Sequence, residues 1–249
     1  MNNFIQNCTG VILAGGENKR MPVLKGFIQV EGRKIVDRNL NILKKLFREV
    51  FIVTNQPELY AHLGVPMLGD VYDTRGPITG VFTALLNSSN QWIFVSACDM
   101  PFLNSGLIRY MASFCHPEHV SGSEQEMLKR VQHDKSGTIS RLPAYDVVVP
   151  ILNNKAEPLF AFYSQKTLTS LEQFIMTGKK GIKDFLLNRN NRVKYITSEE
   201  IISIDPEARS FINLNTPEDV GYYLDSEDRL RFEKKLLRRR QCSDLERRS

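Results

Sequence analysis

The stretch GVILAGGENKRMPVLKGF, residues 10–27, begins as an apolar run and ends as a cationic loop. Residues 10–14 read as a buried strand, because a short apolar run closed by turn residues has a strand's length. Gly15 and Gly16 follow at once, and Lys19, Arg20 and Lys25 crowd the loop behind them. Glycines let a backbone come close to a ligand and turn its N–H groups inward. Arg20 and Lys25 have the charge to neutralise a polyphosphate. A plain strand-to-loop turn with surface cations explains the same residues, so the rest of the chain has to decide.

Outward from this stretch, apolar runs alternate with helical patterns. KIVDRNLNILKKLF (34–47) has apolar residues at Ile35, Val36, Leu40, Leu43, Leu46 and Phe47, a helical stripe. EVFIVTN (49–55), VPMLGD (65–70) and QWIFVSACD (91–99) read as strands. PELYAHLG (57–64), GPITGVFTALLNSS (76–89) and NSGLIRYMASF (104–114) read as helices, the first of them opened by Pro57. Further on, YDVVVPIL (145–152) and EPLFAFYS (157–164) read as paired strands joined by the turn NNKA. LTSLEQFIMTG (168–178) is a helix stopped at Gly178, GIKDFLLN (181–188) a short helix, and RVKYIT (192–197) a strand. SFINLNTPEDVGYYL (210–224) reads as a short strand running into a helix. Alternating strands and helices, with strands apolar almost throughout, predict an α/β fold with a doubly wound, mostly parallel sheet.

Composition narrows the function classes. The chain has 249 residues, 42% hydrophobic and 24% charged, enough for a sizeable core. Its net charge is +5, but residues 225–249 hold nine Lys and Arg against six Asp and Glu, so three of those charges sit there. That run reads as a charged C-terminal tail, and no aromatic-interleaved basic stripe appears in the body, which argues against nucleic acid. No apolar run reaches the ~20 residues of a membrane span, and MNNFIQNCTG, without a basic n-region or a long apolar h-region, does not read as a signal peptide. The four cysteines are scattered, as expected of free thiols in the cytoplasm. Residues 115–142 are polar and aperiodic, with one short helical pattern near Met127–Val131. They read as a surface insertion into one domain spanning residues 1–224. The insertion holds His116, His119 and His133, without acidic or thiol partners at metal-ligand spacing.

Two common phosphate motifs are absent. Gly10 and Gly15 have P-loop spacing, but Gly16 stands where the lysine belongs, and the turn lacks G-x-G-x-x-G. Asp99 ends the strand WIFVSACD, just before Met100-Pro101. In open α/β sheets ligands bind beyond the carboxyl ends of the strands, so Asp99 and the glycine turn would face one crevice. A carboxylate there suits Mg²⁺, which usually arrives with phosphates; a capping or turn aspartate is the alternative. In NTPED (215–219), Thr216 is a natural N-cap, Pro217 the first helical residue and Asp219 the capping-box partner. Asn213 and Asn215 are left over, and two amides at a helix start suit a phosphate or another polar ligand.

Read in order, VILAGGENKRM…LKGF, VTNQ, GD…RGPITG, SACDMPFL, EPLFAFY and FINLNTPEDV resemble the molybdenum cofactor guanylyltransferases, the MobA-type family. The resemblance covers roughly residues 8–114 and 143–224. It implies a Rossmann-like nucleotidyltransferase fold, three-layered α/β/α. It also implies Mg²⁺-dependent transfer of GMP from GTP to molybdopterin, giving molybdopterin guanine dinucleotide and pyrophosphate. By position, Leu13, Ala14, Gly15 and Gly16 would line the guanine nucleotide, with Arg20 completing the loop. Lys25 would hold phosphates, Asn55 and Asp70 would contact the nucleotide, and Asp99 would bind the metal. Asn213 and Asn215 would lie toward the pterin or help the metal. Partner proteins would be those of molybdopterin synthesis or molybdoenzyme maturation. The family usually reads R-M-G and then an acidic residue before the lysine; this chain has Pro22 after Met21 and Leu24 before Lys25. Alternatives are a CTP-dependent or sugar-1-phosphate nucleotidyltransferase, or an accessory protein that binds nucleotide without catalysis.

Overall fold

The computed structural model describes residues 4–15, 24–73, 76–115, 145–179, 181–187 and 191–223. Strand β1 (Cys8–Leu13) lies between two parallel neighbours, β4 (Glu49–Val53) and β6 (Trp92–Ala97). Beyond β4 comes β5 (Met67–Leu68), also parallel. On the other side β9 (Phe160–Ser164) runs antiparallel to both β6 and β7 (Val147–Leu152), and β10 (Val193–Ile196) closes that edge parallel to β7. The order is β10-β7-β9-β6-β1-β4-β5, with β8 (Lys155–Ala156) paired to the far end of β7. The mostly parallel, doubly wound expectation is therefore met, with β9 the one reversed strand of that path.

Both faces of the sheet are covered, which is why its strands are apolar without alternation. Ile12, Ile52, Phe94, Val148, Phe160 and Phe162 point to one core, against α1 (Ile35–Leu46), α4 (Ser105–Ala112) and α7 (Ser198–Ile204). Val11, Leu13, Val53, Val95, Val147 and Tyr163 point to the other. There they meet α3 (Pro77–Asn87), α5 (Leu168–Met176) and α6 (Ile182–Leu186). These are the three layers. Phe94 anchors the first core, its ring 5.1 Å from Phe160 and 5.0 Å from Phe162. Gly10 sets how closely α1 approaches: a Cβ on it would stand 2.7 Å from Phe47 Cδ2.

Four local features depart from the sequence reading. The hairpin of β2 (Gln29–Val30) and β3 (Arg33–Lys34) turns on Glu31 and Gly32, both at positive φ. That is a two-residue turn of the kind that fits strand twist, in strands too short to show alternation. Helix α7 is opened by a capping box, with Thr197 accepting from Glu200 N and Glu200 reaching back to Thr197 N. No strand forms over residues 210–214. The backbone there goes into a turn (Phe211 N to Ala208 O, 3.1 Å; Ile212 N to Arg209 O, 3.1 Å) and one long-range bond, Leu214 N to Asp99 O, 3.0 Å. The NNKA turn is tighter than the spacing suggests. Asn153 and Asn154, both at positive φ, join β7 to β8, and Glu157–Leu159 leads on to β9. The short helix after Pro57 is α2 (Pro57–Tyr60), and the NTPED helix is α8 (Pro217–Tyr223). The insertion beyond Cys115 and the tail from residue 225 lie outside the described residues.

Candidate active site

Strands β1, β4 and β6 finish level with one another. Leu13 is in register with Val53 and with Ala97. The ladder then runs one step further, with Ala14 N donating to Val53 O (2.9 Å) and Cys98 N to Leu13 O (3.1 Å). Ala14, Gly15, Asn55 and Asp99 therefore leave the sheet side by side at its carboxyl edge. Among the described residues no atom lies within 4 Å of where a Cβ on Gly15 would sit. Leu13 is buried, and a Cβ on Gly80 of α3 would stand 3.2 Å from its Cδ2. Gly16 and Arg20 lie outside the described residues, together with Met21 and Pro22.

Lys25 opens a 3-10 turn, Lys25–Phe27, that is seated on this edge. Gly26 is the contact point: a Cβ there would lie 3.5 Å from Val36 Cβ, 3.6 Å from the Tyr60 hydroxyl and 3.7 Å from Cys98 Cβ. The Phe27 ring packs 5.2 Å from Tyr60 and 5.9 Å from His62. Held this way, Lys25 Nζ donates to Asp99 Oδ2 at 2.9 Å and to Asn215 Oδ1 at 2.5 Å. Residues from three remote parts of the chain thus meet at one ammonium group. The Lys25 and Asp99 side chains retain 23% and 17% of their exposure, so the junction opens to solvent and to a ligand.

Asn55 and Asp70 form a second pair. Asn55 Nδ2 donates to Asp70 Oδ2 at 2.8 Å, and Asp70 N donates to Asn55 Oδ1 at 2.9 Å. Asp70 Oδ1 is shielded and accepts no hydrogen bond among the described residues. Burial raises the Asp70 carboxyl above its ordinary value, against the hydrogen bond from Asn55. A shielded acceptor without a donor costs roughly 1–3 kcal/mol, which a ligand N–H or O–H would offset.

The NTPED segment behaves as capping chemistry requires. Asp219 Oδ2 accepts from Thr216 N (2.9 Å) and Asn215 N (3.0 Å), and Thr216 Oγ1 accepts from Asp219 N (3.2 Å). Burial pushes the Asp219 carboxyl up, but those hydrogen bonds and the Lys25 charge outweigh it and hold it below its usual range. The two asparagines part company. Asn215 joins the Lys25 junction, whereas Asn213 Nδ2 turns back onto Phe211 O at 3.3 Å.

The donor set fits a hard divalent cation of the phosphate-linked kind. Among the described residues no group of three or more His, Cys, Asp or Glu side chains gathers to cage a metal. Asp99 and the Asn215 amide oxygen offer oxygen ligands, and Mg²⁺-type ions bind through one or two carboxylates plus substrate phosphates. Burial, then the neighbouring Asp99 charge, pushes the Cys98 thiol up to about 12, against the opposing pull of Lys25.

The sequence profile of the MobA-like NTP transferase domain matches residues 10–193. The chain belongs to this family. It is a nucleotidyltransferase, and the ordered motifs that suggested this are borne out. The molybdenum cofactor guanylyltransferase of Desulfosudis oleivorans is 30% identical over 85% of this chain and 92% of its own. A probable molybdenum cofactor guanylyltransferase of Natranaerobius thermophilus is also 30% identical, over 86% of this chain and 93% of its own. Among solved structures, molybdopterin-guanine dinucleotide biosynthesis protein A from Archaeoglobus fulgidus superposes with a TM-score of 0.63 at 23% identity. That match covers 86% of this chain and 96% of the other, and it supports the fold. An NTP transferase takes a nucleoside triphosphate as its substrate class.

Sequence reasoning missed the residues that hold this edge together. Thr54 Oγ1 donates to Ala14 O at 3.3 Å, tying the end of β4 to the glycine turn. Tyr60 and Cys98 form the seat of Gly26. Thr54 and Cys98 lie inside the stretches VTNQ and SACDMPFL but drew no role of their own, and Tyr60 lies outside them; a position directly after a strand, or in α2, is the signal that could have found them.

Proposed function

We propose that this chain transfers GMP from GTP to molybdopterin, forming molybdopterin guanine dinucleotide and releasing pyrophosphate. The observation that carries the reading is the junction of Lys25, Asp99 and Asn215 at the end of β6. The names of the relatives that match over most of their length supply guanylyl transfer and the molybdenum cofactor.

A phosphate oxygen of molybdopterin attacks the α-phosphorus of GTP in line. The bond from that phosphorus to the bridging oxygen breaks, and pyrophosphate leaves with the electron pair. Lys25 places a positive charge against the phosphates where negative charge builds up. Asp99, with the Asn215 amide oxygen beside it, would hold Mg²⁺. The ion, when bound, adds Lewis-acid stabilisation of the transferring and leaving phosphates. Gly15 allows the strand end to come close to the nucleotide. Asp70 Oδ1, held by the Asn55 clamp, accepts a hydrogen bond from the nucleoside. No covalent enzyme intermediate forms, because positioning and fixed charge supply the acceleration. By resemblance, Arg20 and Gly16 would act on the nucleotide together with Lys25. We place the reaction in the cytoplasm. The test is transfer from α-labelled GTP to purified molybdopterin: guanylylated product supports the reading, and its absence removes it.

A further inference from the structure

Three consecutive carbonyls follow the end of β6, and each is held by a different group. Asp99 O accepts from Leu214 N at 3.0 Å. Met100 O accepts from Asn39 Nδ2 at 3.0 Å, and Pro101 O from Arg38 Nε at 3.3 Å. Arg38 is itself fixed, donating to Val30 O at 3.2 Å and pairing with Glu31 at 3.0 Å. The backbone that carries Asp99 is therefore clamped at three successive residues, two of them from α1.

Asn39 is the unusual member. It is fully buried on the core face of α1, among Ile35, Val36, Leu40 and Leu43. Its Oδ1 has no hydrogen-bond partner among the described residues. A helix position chosen for packing alone would carry an apolar side chain of the same size. An amide with one orphaned oxygen is tolerated there for the bond that its nitrogen makes. That bond ends on the residue next to Asp99, and Met100 is itself buried against the same core.

We propose that Asn39 is a positioning residue for Asp99, acting through the Met100 carbonyl, with Arg38 supporting it through Pro101. The inference rests on the reading above, in which Asp99 holds the nucleotide-bound cation. The expected signature is a fault in metal handling rather than in nucleotide binding. Asn39→Leu keeps the number and branching of side-chain heavy atoms and removes the donor. In the full-length variant, calorimetric titration with Mn²⁺ in the presence of GTP should show affinity at least tenfold weaker than wild type. The Leu214 amide should exchange its hydrogen faster, kcat should fall at least tenfold, and KM for GTP should stay within threefold. Ile175→Ala, in the opposite core, is the control for simple destabilisation and should leave Mn²⁺ affinity unchanged.

If Asn39→Leu does not fold, Arg38→Met at its partly exposed site should weaken Mn²⁺ at least threefold. Wild-type Mn²⁺ affinity in the folded Asn39→Leu protein, or in Arg38→Met where that is the variant read, overturns the proposal. So does an equal loss in Ile175→Ala. Asp99→Ala separates the two levels. If it still binds Mn²⁺ with GTP as wild type does, the reading of Asp99 has failed and the positioning role falls with it. If Asp99→Ala loses Mn²⁺ while Asn39→Leu keeps it, the positioning role alone has failed.

Discussion

Replacing Lys25 by alanine should separate catalysis from stability. Its Nζ is 2.9 Å from Asp99 Oδ2 and 2.5 Å from Asn215 Oδ1. A phosphate about 4 Å from that ammonium, at an effective dielectric near 20, is attracted by roughly 4 kcal/mol. After exchange with water, a hydrogen bond to a charged group retains about 1.5–3 kcal/mol. Lost from the transition state, that is about a 10- to 150-fold fall in kcat/KM. The Lys25–Asp99 ion pair is partly exposed and contributes only about 0–1 kcal/mol to folding. For a chain of this size the thermal midpoint should therefore fall by less than about 4 °C. The assay is GTP-dependent transfer to purified molybdopterin, run beside thermal unfolding and beside Lys19→Ala. Lys19 is a variable loop position by resemblance, and its loss should cost little. Activity of Lys25→Ala within threefold of wild type, or equal losses in the two variants, would refute a focused phosphate charge.

Asp99→Ala should abolish transfer while far-ultraviolet circular dichroism stays native; wild-type turnover would remove Asp99 from the site. Asn55→Ala should free the Asp70 carboxylate and raise KM for GTP several-fold, read by initial rates; an unchanged KM would exclude the pair from nucleotide binding. Asp146 accepts from Arg192 N, Nε and Nη2, each at 3.0 Å. Burial pushes its carboxyl up, but these bonds and the Arg192 charge hold it below the usual range. Its contribution is therefore present above the ordinary carboxylate range and is lost as pH falls through the lowered value. The gap in thermal midpoint between wild type and Asp146→Asn should be widest near neutrality and close on acidification; a gap that does not narrow would refute this. Residues 116–140 should be replaceable by a short Gly-Ser linker with transfer kept, because doubling a loop's length costs only ~0.6 kcal/mol. Unfolding of the shortened chain, or loss of GTP binding, would show that the segment packs into the core or the site.

The long elements were legible because burial on both faces writes itself into the sequence. QWIFVSACD has almost no polar interruption, and Trp92, Ile93, Phe94 and Val95 face two cores in turn. The junction at Lys25 was only half legible. Asp99 and Lys25 were found by strand ends and resemblance, but 190 residues separate Lys25 from Asn215, and no local pattern encodes that distance. Asn213 and Asn215 look alike in sequence, and the backbone turn at Phe211 sends one back onto its own chain. The β2–β3 hairpin was missed because two-residue strands carry no period. Asn39 was hidden inside a helical stripe, where its amide interrupts the apolar face without disturbing the pattern.

The most direct test of guanylyl transfer is a competition between nucleotides. The purified chain is given molybdopterin, Mg²⁺ and equal concentrations of α-labelled GTP and CTP, and the dinucleotide product and pyrophosphate are both counted. The expected result is molybdopterin guanine dinucleotide, one pyrophosphate for each guanylyl group transferred, and no cytidine product above background. Preferential transfer from CTP, or none from either nucleotide, would contradict it.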